Sequence, residues 1–150
     1  MTSVPTTREH PTLRIWPQEP GSGTAAAVSE VLGLSPSKSH EAGEPRSQRD
    51  DRPWANAMWS LHSDLPWTQP LSEHLARLCD ALEGKREALN VLSENGYAMD
   101  FFCFVEVENG QGGLLLTPGI LRRLGELPVE LDLNIYADSD EAQLVASERG

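Results

Sequence analysis

Twelve residues, Tyr97 to Glu108, restrict the fold more than any others. They set Tyr97, Met99, Phe101, Cys103, Val105 and Val107 on one side of an extended chain, and Asp100, Phe102, Phe104, Glu106 and Glu108 on the other. A period of two is that of a β-strand, and a wholly apolar side needs a second layer to cover it. The other side mixes phenylalanine with carboxylates, which plain solvation does not require.

Shorter signals divide the rest of the chain. Thr12–Trp16 alternates and stops at Pro17, which predicts a first strand with Leu13 and Ile15 inward. Thr24 as cap, Val28, Val31 and Leu32 at helical spacing and Gly33 as terminator predict a helix over about 24–33. Residues 35–53 are Ser, Pro, Gly and charges, a long mobile loop. A second strand is expected where Ala55, Ala57, Trp59 and Leu61 alternate with Asn56, Met58, Ser60 and His62. Leu71, Leu75, Leu78, Leu82, Leu89 and Leu92 form the stripe of the main helix, kinked or broken at Gly84.

Beyond the long strand, Asn109–Gly113 is a hairpin signal leading to a strand at Leu114–Leu116. Thr117 and Pro118 then open a helix to about Glu126, with Ile120, Leu121, Leu124 and Leu127 inward. In the last strand Val129, Leu131, Leu133 and Ile135 point inward, alternating with Glu130, Asp132, Asn134 and Tyr136. The order β-α-β-α-β-β-α-β predicts an α+β fold: a two-layer α/β sandwich, with a mixed sheet of about five strands and helices on one face. Residues 1–11 are expected to be a flexible tail, 12–137 a single domain and 138–150 an acidic tail.

Charge narrows the partners. The net charge is −11; residues 1–53 hold six basic and seven acidic side chains, residues 54–150 six and sixteen. That field repels phosphate backbones and anionic lipid, so neither nucleic acid nor membrane is an expected partner, whereas a basic protein is attracted. The start lacks the marks of a signal peptide, no apolar run is long enough to span a bilayer, and two cysteines make no disulfide scaffold. A cytoplasmic protein with reduced thiols is the expectation.

Several of these pieces together resemble a bacterial family, domain of unknown function 4279. They are Leu13-Arg14-Ile15, Leu32-Gly33-Leu34-Ser35-Pro36, Gly43, Trp54 through Trp59-Ser60-Leu61, Leu71 to Leu82, and Leu131-Asp132-Leu133 to Tyr136. The resemblance spans about residues 12–137 and carries order and spacing rather than catalytic residues. It implies a small protein of unassigned role, with a hint of immunity-type relatives.

Chemical signatures are sparse. His74 and Cys79 stand five apart on one helix, about 140° around its axis, which is poor metal geometry. Cys103 falls in phase with the apolar side of its strand and reads as a core residue. Gly21-Ser22-Gly23 lacks the lysine of a phosphate loop, and Ser60, His62, Ser63 and Asp64 lack a nucleophile elbow. No metal or cofactor is expected, and an enzyme is the weaker expectation. Glu106 with Glu108, and Glu130 with Asp132, each share a side of their strand.

Strand phase collects one surface. Trp59 is in phase with the core, whereas Trp16, Trp54, Met58, Phe102, Phe104, Glu106, Glu130, Asp132 and Tyr136, with Arg14 and His62, belong on the helix-free side of the sheet. Aromatic anchors ringed by acids describe a protein-binding face, for a basic partner or a second copy in a homodimer. The alternative is a small-molecule binder or enzyme using that face or the loop cleft, with Arg46, Arg52 and His62 available.

Overall fold

A computed structural model describes residues 7–108 and 113–138. In chain order the elements are β1 (Thr7–Pro17), α1 (Ala25–Leu32), β2 (Lys38–His40), β3 (Met58–His62), α2 (Leu71–Ala81), α3 (Arg86–Glu94), β4 (Tyr97–Glu108), α4 (Pro118–Gly125) and β5 (Glu130–Asp138). The fold is α+β, with one mixed sheet ordered β2-β3-β1-β4-β5. Neighbours pair antiparallel except β4 and β5, which run parallel.

The core lies between the helices and one face of the sheet. Leu13 and Ile15 of β1, Trp59 of β3, and Met99, Phe101 and Cys103 of β4 meet Val28 and Leu32 of α1, Leu75 and Leu78 of α2 and Leu89 and Leu92 of α3. Each of these three strands contributes alternate residues, as its phase predicts. Local chemistry sets the helix ends: the Thr24 hydroxyl accepts from Ala27 N–H, and Gly33 closes α1 at φ 66°. Gly84, at φ 75°, separates α2 from α3, so the leucine stripe belongs to two helices.

Several expectations need correction. β1 begins at Thr7, so residues 7–11 are strand rather than tail, because β4 is long enough to pair with all of β1. Pro11 is tolerated there because the pairing with β3 stops at Thr12, and the missing N–H breaks no ladder on that side. The strand expected from Ala55 starts only at Met58.

The stretch 35–53 is not a featureless loop. Residues 38–40 form β2 on the outer edge of β3, and residues 43–54 form a hairpin closed by Gly43 N–H to Trp54 O at 2.8 Å, Trp54 N–H to Glu44 O at 2.8 Å and Arg46 N–H to Arg52 O at 3.1 Å. A three-residue strand is too short to show a period.

Leu114–Leu116 are irregular rather than a strand, and β4 reaches β5 through α4 as a crossover, which is why the pair is parallel. The expected hairpin turn at 109–112 and the tail beyond 138 lie outside the described residues.

Finally, the predicted inward row of β5 is not buried: Leu131 is 36% exposed, Leu133 39% and Ile135 60%. α4 packs on α2 instead, through a face that buries Ile120 and Leu124 and leaves Leu121 outside. The last strand therefore extends past the helical layer.

Candidate functional site

On β1 and β4 the odd-numbered residues are buried against the helices, while the even ones lie on the helix-free face, half-buried except for exposed Arg8 and buried Asp100, so phase alone sorts the two faces. Register turns that face into rows. One row crosses all five strands: Lys38 beside Ser60, Ser60 beside Arg14, Arg14 beside Asp100, and Asp100 beside Glu130. Parallel to it run His62, Thr12, Phe102 and Asp132, and then Arg8, Glu106 and Tyr136.

Arg14 closes the middle of this face. Its Nε donates to Asp100 Oδ1 at 2.9 Å and its terminal nitrogen to Oδ2 at 2.6 Å, a forked pair with a buried carboxylate that pushes the guanidinium pKa up. The same guanidinium lies 4.2 Å from the ring centre of Phe102 and 5.3 Å from that of Trp16. These two aromatics are packed under a cation, so neither is a free anchor.

The nine residues singled out from sequence thus share a face but fall into separate groups. At the β4–β5 margin Phe104 and Tyr136 touch at 5.0 Å between ring centres, with Glu106 beside Tyr136 in register, while Asp132 and Glu130 stand farther along β5, beside Phe102 and Asp100. Met58 pairs with His40 at the β2 margin, where the Trp54 indole stacks on the His40 ring at 3.8 Å and 8°. Four strand spacings, about 19 Å, separate the two margins. The face is polar in the electrical sense: Lys38 and Arg46 stand at the β2 margin, Glu130 and Asp132 at the β5 margin.

Sequence reading missed one association. The Ser63 hydroxyl lies 2.6 Å from His74 Nδ1, and the ring centre of His10 stands 5.9 Å from that of His74 and 5.7 Å from that of His62. A hydroxyl on an imidazole is the spacing of a nucleophile and its base, but here both side chains are buried in the core. The three histidines come from β1, β3 and α2, so no sequence spacing announces them. Burial pushes the Cys103 thiol up to about 12, which keeps it protonated and inert. Among the described residues no group of three or more His, Cys, Asp or Glu is arranged to hold a metal ion, and no helix is long and apolar enough to cross a membrane.

No curated protein and no solved structure matches this sequence. The family model Domain of unknown function (DUF4279) matches residues 10–138, nearly all of the sheet and every helix described above, and the chain belongs to that family.

Proposed function

We propose that this domain is a non-catalytic binding module that docks a basic protein segment along β5. The observation that carries the reading is the exposure of both rows of that edge strand, Leu131, Leu133 and Ile135 on one side and Glu130, Asp132 and Tyr136 on the other. β5 ends the sheet, and among the described residues nothing pairs with its outer edge. Proteins ordinarily blunt or cover such an edge. An extended partner strand adds main-chain hydrogen bonds there, while alternate side chains supply specificity.

The two rows define the complement. A segment that alternates apolar and basic residues sets its apolar side chains beside Leu133 and Ile135 and its cations beside Glu130 and Asp132. The acidic field steers the encounter. Neutralisation of a basic toxin, in the manner of an immunity protein, is a role this edge suits.

The test is a side-by-side capture from the native lysate with the wild-type chain and with Leu133→Lys/Ile135→Lys, whose exposed positions leave the fold intact by circular dichroism. A stoichiometric basic companion held by the wild type and lost from the variant is the expected result. Equal companions from both chains, or none from either, overturn the reading. A wild-type homodimer that the variant converts to a monomer replaces the foreign partner with a second copy.

A further inference from the structure

At the opposite margin, β2, β3 and the 43–54 hairpin line a half-open cleft of about 530 Å³, within the range of roughly 300–1,000 Å³ common for small-ligand sites. Lys38 and His40 line it from β2, Ser60 from β3, and Glu44, Arg46 and Trp54 from the hairpin. In a chain of net charge −11, two cations on one cleft are a local reversal. Three arginines are engaged in ion pairs: Arg14 by Asp100, Arg52 by Asp50 and Arg123 by Asp80. Lys38 and Arg46 have no ion-pair partner among the described residues.

The hairpin is built to aim Arg46. Asp50 holds Arg52 through two bonds of 2.9 and 2.7 Å, and Ser47 Oγ accepts from Asp50 N–H at 3.0 Å, which fixes the tip. The Arg46 guanidinium then lies 4.8 Å from the Trp54 ring centre, and the His40 stack holds that indole to the sheet.

We infer that this cleft binds a small organic anion, a carboxylate or a phosphate monoester, between the Lys38 ammonium and the Arg46 guanidinium beside Trp54. Glu44 on the same wall leaves a formal surplus of one positive charge with His40 neutral, which suits a ligand with one anionic group and works against polyphosphates and nucleic acid. Burial lowers the His40 pKa and so keeps that ring neutral. The site lies about 19 Å across the sheet from β5, and it stands or falls independently of the docking reading.

The probes are benzoate, succinate, phenyl phosphate and inorganic phosphate, each titrated at constant ionic strength against a sodium chloride reference, with the Trp54 indole N–H followed by NMR. A Trp54→Phe variant assigns that signal. The expected result is a saturable shift with at least one organic probe that weakens tenfold or more in Lys38→Gln and in Arg46→Gln, both exposed positions, and is unchanged in Leu133→Lys/Ile135→Lys. Saturation with carboxylates but not phosphates, or the converse, identifies the ligand class. Shifts no larger than those of chloride, linear titrations with every probe, or equal affinity in the Lys38 and Arg46 variants overturn the inference.

Discussion

His74 is the side chain most sensitive to a proton. Its ring is fully buried, its Nδ1 is held by Ser63, and its Nε2 has no partner. Burial, and then the charge on nearby His10, hold its pKa below the ordinary value. With the folded value depressed, the unfolded chain takes up a proton first as pH falls, and stability declines from about pH 6.5 downward until the folded pKa is reached. His62 and His40 are shifted the same way by burial and act with the same sign. We expect urea midpoints to fall between pH 7.5 and 5.5, with His74→Gln reducing that slope by up to about 1.4 kcal/mol per pH unit. An equal slope in wild type and variant rules His74 out as a source. Residue phase was readable in advance for Cys103, Trp59 and the half-buried aromatics. The meeting of His10, His62, His74 and Ser63 was not, because it depends on how three elements are stacked.

At the scale of elements, two helices receive their N-terminal caps from distant glutamates. Glu41 accepts from Ala25 N–H at 2.7 Å and Ala26 N–H at 3.0 Å at the start of α1, and Glu9, buried on β1, accepts from Leu71 N–H at the start of α2. Each carboxylate meets unpaired amide donors at the positive end of a helix. Glu41→Ala should therefore destabilise the fold by about 1–2 kcal/mol, seen as a lower Tm, with Glu41→Gln losing less. An unchanged Tm in Glu41→Ala means that water replaces the cap. Thr24, Gly33 and Pro118 announced their helices because their chemistry is local. Glu9 and Glu41 did not, since a cap lent from 62 or 16 positions away leaves no mark in the sequence around either helix. The same limit hid β2 and gave Leu114–Leu116 the look of a strand. An apolar triplet has no period, and only the crossover through α4 shows that its place in the sheet belongs to β5.

For the whole molecule, net charge sets the response to salt. The exposed pairs Arg52–Asp50 and Arg123–Asp80 contribute little, and burial shields the forked Arg14–Asp100 pair from salt, so self-repulsion at −11 is the salt-sensitive electrostatic effect. Raising sodium chloride from 20 mM to 500 mM should raise Tm by roughly 2–5 °C. A fall on adding salt would show that attractive pairs dominate.

The position of β1 has a further consequence, for the nascent chain. β1 pairs with β4, whose residues are synthesised some ninety positions later, as in Leu13 with Phe101. The first strand leaves the ribosome long before its main neighbour, and closure of the sheet waits on that distant pairing. β5 is added after β4, onto a finished edge. Leu131, Leu133 and Ile135 stay largely exposed, so the core between the helices and β1, β3 and β4 can form before β5 is laid on, and the last strand completes the sheet without being needed to close it.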